Sequence, residues 1–136
     1  MTREGYSGTP LSQKLGIKEG HALVVLGAPT GFVLPSLPTG VTVAKRLGAV
    51  VCDVLVVFVK KRDDLIEKIA TCRPKMHQAG GLWIAWPKRT SGVPTDIVED
   101  TIREVALPTG LVDNKVCAID ATWSGLRLVI RKENRK

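Results

Sequence analysis

A chain of 136 residues with 44% hydrophobic residues suits one domain with a buried core, and this composition excludes a largely disordered protein. Its formal net charge of +7 favours an anionic partner, either a small molecule or nucleic acid. The longest apolar run, residues 48–59, is interrupted by Asp53 and is too short to span a bilayer. We therefore expect a cytoplasmic protein with no membrane partner.

The first half of the chain predicts one brief helix and three strands. Thr9 and Pro10 are typical of a helix start, and this helix ends at Gly16. An apolar run at residues 21–26 predicts a buried strand. Glycines and prolines leave no room for a regular helix in residues 27–40, and a short edge strand follows at residues 41–45. Residues 53–59 give the strongest strand pattern.

The second half predicts two helices and three strands. Asp63 or Asp64 caps a helix that runs to about Met76 and is followed by a glycine break, after which residues 82–86 form a buried strand. Thr95 caps the second helix, which Pro108 ends. Residues 111–119 and 126–131 form two final strands, antiparallel because the turn between them is short. Alternating strands and helices indicate an α/β domain with a mostly parallel sheet.

The cysteines favour a reducing compartment. Cys52, Cys72 and Cys117 lie far apart, and their number is odd. No pair has the close spacing of a zinc or redox site, so we predict three buried thiols and no metal site.

Three segments resemble the Rossmann-like, S-adenosylmethionine-dependent methyltransferases. Residues 15–20 are similar to the family's lead-in, residues 23–31 to its first strand and cofactor loop, and residues 52–88 to its fourth strand, helix and fifth strand. The resemblance implies a single reduced, three-layer Rossmann-like domain over residues 1–130, with a mostly parallel sheet and an antiparallel final strand. Residues 131–136 would then be a basic, solvated C-terminal tail.

The chain departs from that family at the positions that hold the cofactor. Val25 stands where the family has an acidic residue, and Pro29 replaces the middle glycine of the loop. Proline has no N–H to donate and lacks the conformational freedom of glycine. The first crossover helix is cut down or missing, together with one strand and its partner helix. We therefore predict no cofactor, and in particular no S-adenosylmethionine bound in the family's usual way.

A second resemblance covers nearly the whole chain. Residues 5–11, 83–96, 103–108 and 115–129 are similar to a small, mostly bacterial family known only as a domain of unknown function. These motifs are long and specific, but the resemblance implies no activity.

Charged loops follow two neighbouring strands of the predicted parallel sheet. Their cations would meet at its carboxyl edge beside two helix N-termini, which carry partial positive charge. Solvated loops are the alternative interpretation. The candidate ligand-binding residues at this edge are Gly27, Pro29, Gly31, Lys60, Lys61, Arg62, Trp86, Lys88, Arg89, Thr95, Asp120 and Trp123.

Several of these side chains have a second interpretation that the sequence leaves open. Trp86 and Trp123 either stack on a ring of the ligand or plug the end of the sheet, whereas Trp83 faces the core. Asp120 is either a working carboxylate or, more commonly, a turn cap. His21 and His77 have no visible nucleophile or ligand pair beside them, which favours structural roles.

Two functions from different classes remain. The first is a non-catalytic binding or interaction module on a degenerate methyltransferase-like scaffold, which takes an anionic ligand. The alternative is a small enzyme that acts on a nucleotide or another anionic substrate at the carboxyl edge. A protein partner or a homo-oligomer fits either function.

Overall fold

Six strands form one mixed sheet in the computed structural model, which describes residues 9–135. The strands are β1 (Ala22–Leu26), β2 (Thr42–Ala44), β3 (Cys52–Phe58), β4 (Met76–Pro87), β5 (Leu111–Ala118) and β6 (Trp123–Ile130). The helices are α1 (Leu11–Lys14), α2 (Arg62–Cys72) and α3 (Glu99–Ala106).

The strand order is β2-β1-β3-β4-β6-β5. The first four strands are parallel, and β6 is antiparallel to both of its neighbours. The predicted α/β fold with an antiparallel final strand is therefore confirmed. Because β5 runs in the same direction as β4, the turn after β5 lies at the carboxyl edge with the loops that follow β1, β3 and β4.

The two faces of the sheet are covered differently. Helices α2 and α3 bury Leu65, Ile69 and Ile102 against one face. On the other face, α1 and the irregular segment of residues 27–41 supply Leu15 and Phe32 among others. No helix occurs between β1 and β2, as the sequence predicted, and only residues 45–51 separate β2 from β3.

The helix caps differ from the predicted ones. Pro10 rather than Thr9 holds the N-cap position of α1. Helix α2 begins at Arg62 and ends at Cys72, and neither Asp63 nor Asp64 caps it. Instead, the Asp96 carboxylate accepts a hydrogen bond from the Arg62 backbone N–H at 2.7 Å. A residue 34 positions away in sequence thus does what a local cap was expected to do.

Helix α3 also starts differently from the prediction. Val98 holds its N-cap position, and the Val98 N–H donates to the Thr101 hydroxyl at 3.1 Å. Thr95 lies before the helix, where its hydroxyl donates to the Lys60 carbonyl at 2.6 Å. Thr95 therefore joins two loops instead of capping α3.

The predicted glycine break before residue 82 is wrong, because β4 runs through both glycines. A Cβ on Gly80 would lie 2.7 Å from the Asp53 carbonyl oxygen, and one on Gly81 would lie 2.5 Å from Nε of Arg127. The pairing of β3 with β4 also shifts register, since Cys52 pairs with Met76 and Val54 with Gly81. Glycine is favoured at these two positions because neighbouring atoms leave little room for a side chain, and not because the strand begins after them.

The C-terminal segment is exposed but attached to the sheet. The Arg131 N–H donates to the Gly110 carbonyl at 2.9 Å, and Nε of Arg135 donates to the Ile130 carbonyl at 2.9 Å. A 3₁₀ turn at Lys132–Asn134 lies between these contacts. The segment is therefore exposed to solvent but held against the sheet. Residues 1–8 of the predicted domain and Lys136 of the predicted tail lie outside the described residues.

Cysteine burial is less uniform than expected. Cys52 and Cys72 are buried and Cys117 is half-buried, and all three are free thiols. Burial raises the pKa of Cys72 to about 11. These thiols are therefore mostly protonated near neutral pH and poor nucleophiles.

The loop after β1 begins with a glycine that the neighbouring strand constrains. Gly27 has a φ of +70°, and a Cβ there would lie 2.9 Å from the Phe58 carbonyl oxygen. Gly31 has a φ of +86°, but nothing lies near its missing Cβ. We expect Gly27→Ala to lower the free energy of unfolding by about 2–3 kcal/mol and Gly31→Ala by about 1 kcal/mol. Urea unfolding of the two variants measures the difference, and equal losses would contradict the close approach of β3.

Candidate anion-binding site at the carboxyl edge

Hydrogen bonds tie the loops at the carboxyl edge to one another. The Lys60 carbonyl, just after β3, accepts from the Thr95 hydroxyl and from the Asp96 N–H. The Lys88 N–H, just after β4, donates to the Thr122 carbonyl at 2.8 Å. The loops after β3, β4 and β5 therefore form one connected surface.

One hollow at this edge, here called the Trp86 hollow, has a volume of about 620 Å³. This size is within the range of small-molecule sites. It contains four of the predicted residues and several others, most of them apolar, that were not predicted. The predicted residues are Trp86, Lys88, Arg89 and Thr95, and the missed ones include Val93, Pro94, Val98 and Ser124.

A second hollow, the Trp123 hollow, has a volume of about 490 Å³. Its predicted residues are Gly27, Pro29, Lys60, Lys61 and Trp123, and it also includes Phe58, Val59 and Asp64. Phe58 was missed, although its position at the end of β3 was a usable signal. Nine of the twelve predicted residues are thus divided between two hollows, and the Thr95–Lys60 hydrogen bond links a residue of each.

Both tryptophans are buried at the end of the sheet, which is one of the two arrangements that the sequence left open. Trp86 is 7% exposed and Trp123 is 6% exposed. The Trp123 ring lies edge-on to Phe58, with 5.0 Å between the ring centroids. Because each still lines a hollow, a small exposed part of each indole is available to a ligand.

The cations of this edge have no carboxylate partners among residues 9–135. Within that part of the chain, no ion pair or side-chain hydrogen bond occupies the charged groups of Lys60, Lys61, Arg62, Lys88 and Arg89. Most nearby carboxylates are engaged elsewhere. Asp64 pairs with Lys68 at 2.8 Å, Glu99 pairs with Arg103, and Asp96 binds the Arg62 N–H. None of these carboxylates therefore forms an ion pair with the five cations within residues 9–135.

The polar groups with catalytic potential at this edge are held in turns. Asp120 Oδ1 accepts from the N–H groups of Thr122 and Trp123, which is the turn-capping arrangement. The Ser91 hydroxyl donates to the Lys88 carbonyl and accepts from the Val93 N–H. The Thr95 hydroxyl donates to Lys60 and accepts from the Ile97 N–H. Each group has a structural role already.

The structure differs from two predictions about the carboxyl edge. The N-terminus of α2 is partly occupied, because Asp96 accepts a hydrogen bond from the N–H of its first residue. Arg62 and Asp120 line neither the Trp86 hollow nor the Trp123 hollow. Gly31 lies in a third hollow, beside the loop after β1.

This third hollow, the loop hollow, is where the resemblance to methyltransferases places the cofactor. Its volume is about 430 Å³, and its lining comprises Val25, Gly27, Ala28, Pro29, Thr30, Gly31, Phe32, Leu34 and Lys45. S-adenosylmethionine carries an ammonium group, a sulfonium cation and a ribose diol. The lining has no carboxylate to accept from them and has a lysine in their place. The residues present do not fit this cofactor.

A protein-family profile matches residues 40–132, and that family is described as a protein of unknown function (DUF3052). The chain belongs to this family. The match covers β2 through β6 and includes the Trp86 hollow. No curated protein is similar enough in sequence to match the chain.

Solved structures with the same fold are Rossmann-like methyltransferases. TrmN from Thermus thermophilus has a TM-score of 0.62 at 9% identity, over 88% of this chain and 47% of that protein. A SAM dependent methyltransferase from Aquifex aeolicus has a TM-score of 0.62 at 12% identity, over 88% of both chains. Fibrillarin from Aeropyrum pernix, solved with natively bound S-adenosyl-L-methionine, has a TM-score of 0.57 at 14% identity, over 88% of this chain and 73% of fibrillarin. This chain spans about half of TrmN, and identities this low establish the fold alone.

No helix within residues 9–135 is long and apolar enough to cross a membrane. No group of three or more metal-ligating side chains lies together in that part of the chain.

We expect S-adenosylmethionine and its demethylated product to bind the purified protein only weakly. The physical reason is the loop hollow, where Pro29 and Lys45 stand among apolar side chains and no carboxylate faces the cofactor's cations. Isothermal titration calorimetry with each compound is the measurement. A dissociation constant of order micromolar for either compound, about −8 kcal/mol, would contradict this account of the loop.

Proposed function

We propose that this protein is a non-catalytic binding module whose carboxyl edge takes a phosphate-bearing ligand, either a free nucleotide or the backbone of a nucleic acid strand. The observation that carries the proposal is the set of cations around the two tryptophan-lined hollows that have no ion-pair partner among residues 9–135. Lys88 and Arg89 would hold phosphate beside the Trp86 hollow, and Lys60 and Lys61 beside the Trp123 hollow.

Affinity for phosphate is expected because several cations lie close together at this edge. One exposed cation contributes between zero and about 1 kcal/mol, because water screens it and its side chain must be ordered. Several cations that meet on one phosphate act together, and guanidinium binds phosphate through two parallel hydrogen bonds. Arg89 is the exposed guanidinium that lines the Trp86 hollow, and Lys88 is half-buried beside it.

The exposed parts of the two indoles support a ligand that carries a ring as well as phosphate. Base stacking on aromatic side chains contributes about 1–3 kcal/mol per base. Trp86 and Trp123 are mostly covered, so contact with an indole edge would contribute toward the lower end of that range.

The hydrogen bonds of the edge support binding rather than catalysis. Asp120, Ser91 and Thr95 are the groups that an enzyme at this edge would use as base or nucleophile. All three already stabilise turns, and no histidine lines either hollow. A cytoplasmic location is part of the proposal, since three free thiols are typical of a reducing compartment.

Tryptophan fluorescence tests the proposal with defined probes. ATP and a single-stranded oligonucleotide are titrated separately into the protein, and Trp83 contributes a constant background because it is fully buried. We expect saturable quenching that weakens as salt is raised, for at least one of the two probes. An unchanged spectrum with both probes at low salt would overturn the proposal.

A further inference from the structure

A fourth hollow lies at the opposite, amino edge of the sheet and is here called the amino-edge hollow. Its volume is about 350 Å³, and four separate segments of the chain form it. Its lining comprises Gly16, Lys18, His21, Asp53, Val54, His77, Ala79, Gly80 and Arg127. This hollow shares no residue with the three hollows at the carboxyl edge.

Arg127 is the unusual member of this lining. It lies on β6 beside Trp83 of β4, and its guanidinium extends over the backbone of Gly81. Half-buried, it has no hydrogen bond or ion pair from its side chain to any residue between 9 and 135. Burial, and secondarily the charge of Arg135, lowers the pKa of Arg127. Cations removed from water are normally paired, and no residue in the described part of the chain supplies that partner for this guanidinium.

Both histidines of the hollow are oriented by the backbone. Nδ1 of His21 accepts from the Lys18 N–H at 3.1 Å, and Nδ1 of His77 accepts from the Ala79 N–H at 3.0 Å. An Nδ1 atom that accepts a hydrogen bond carries no proton, so the proton of each neutral ring is on Nε2. Each histidine therefore keeps an Nε2–H group for donation to a ligand.

The carboxylate of the hollow is already engaged. Oδ2 of Asp53 accepts from the Ala22 N–H at 2.8 Å, which ties the start of β3 to the start of β1. Against this one carboxylate the hollow has two cations, Lys18 and Arg127, with Arg135 close enough to act on Arg127. The free groups are thus mainly donors, and the charge balance favours a ligand with two negative charges.

We propose that the amino-edge hollow is a second anion site, which takes the phosphoryl group of a small molecule on Arg127, with Lys18 and the Nε2–H groups of His21 and His77 as further donors. Guanidinium suits phosphate because its planar N–H groups match two phosphate oxygens. The hollow has room for a phosphoryl group and a small substituent. The site is independent of the proposed function at the carboxyl edge.

Inorganic phosphate is the probe, and ¹H–¹⁵N spectra of the uniformly labelled protein are the readout. We expect phosphate to shift the amide signals of Lys18, Ala79 and Gly80 with a saturable dependence on concentration. Arg127→Gln is expected to weaken this binding at least tenfold. Gly81→Ala keeps the charge but displaces the guanidinium, because its Cβ would lie 2.5 Å from Nε, so it is expected to weaken binding as well.

Matched variants separate the site from general charge effects. Arg46→Gln removes the same charge from an exposed position outside the hollow and is expected to leave phosphate binding unchanged. Lys18→Gln alters an exposed residue of the hollow and is expected to weaken binding severalfold, which keeps the proposal testable should Arg127→Gln not fold. Acetate at equal ionic strength is expected to bind more weakly than phosphate.

Three results would overturn the proposal. One is phosphate binding by Arg127→Gln as tight as that of the unchanged protein. Another is the absence of amide shifts around the hollow while the carboxyl edge responds. The third is acetate binding equal to phosphate binding, which would reject the phosphoryl group as the ligand.

Discussion

Trp83→Ala should lower the free energy of unfolding by about 3–5 kcal/mol, the loss typical of a large aromatic side chain removed from a core. Trp83 is fully buried and packs with Leu15, Val56 and Ile119 on the face that α1 and the irregular segment cover. Its Nε1–H donates to the Leu15 carbonyl at 2.9 Å. The substitution thus removes apolar packing and the contact that holds the end of α1 to the sheet.

Urea unfolding followed by circular dichroism measures this loss. Trp83→Phe keeps most of the packing but leaves the Leu15 carbonyl without its donor, so we expect a smaller loss of about 1–3 kcal/mol. Val116→Ala on the edge strand β5 is the control, since Val116 is 54% exposed, and we expect a change within about 0.5 kcal/mol. A loss below about 1 kcal/mol for Trp83→Ala would contradict the packing of this face.

The double variant Lys88→Ala/Arg89→Ala should weaken ATP or oligonucleotide binding by about tenfold or more, equivalent to about 1.4 kcal/mol or more. Both side chains lie beside the Trp86 hollow without ion pairs in the described chain, so their removal disturbs few internal contacts. For a single strand, the loss of two phosphate contacts should also make the slope of log K against log salt shallower by about 1.4. Fluorescence titration at two or more salt concentrations measures both effects.

The basic C-terminal segment is the rival explanation for any anion binding. A chain truncated before Arg131 is unsuitable as a test, because the Arg131 N–H donates to Gly110 and the segment is attached to the sheet. The substitution Lys132→Gln/Arg135→Gln/Lys136→Gln instead removes the charge and keeps the chain length. We expect this variant to retain most of the binding. If it loses binding and Lys88→Ala/Arg89→Ala does not, the charge of the tail is responsible.

Local sequence patterns were sufficient to predict which segments form strands, and that the sheet is mostly parallel with an antiparallel final strand. Apolar runs bounded by glycine or proline predicted β1, β3 and the core of β4, and a turn too short for a crossover fixed the antiparallel end of the sheet. Those patterns depend on backbone periodicity and chain length, which neighbours in sequence determine. The family membership and the methyltransferase-like fold, both suggested by motifs, are confirmed.

Features that depend on distant contacts were not predictable in the same way. Asp96 replaces the expected local cap of α2, and Gly80 and Gly81 lie within β4, where the Asp53 carbonyl and the Arg127 side chain approach them closely. Neither contact has a signature in the local sequence. For the same reason the sequence predicted that the candidate cations lie at one edge of the sheet. It did not predict which of them line the Trp86 hollow and which line the Trp123 hollow, because that depends on how four loops pack together.

The position of a bound nucleotide is the most direct test of the carboxyl-edge proposal. ¹H–¹⁵N spectra recorded during titration with ATP report each backbone amide and the three indole N–H groups separately. We predict saturable shifts at Lys60, Lys61, Lys88, Arg89 and Thr95 and at the indoles of Trp86 and Trp123, while the indole of Trp83 stays in place. Shifts confined to residues 131–136 or to the amino-edge hollow, with the carboxyl edge unchanged, would contradict the proposal.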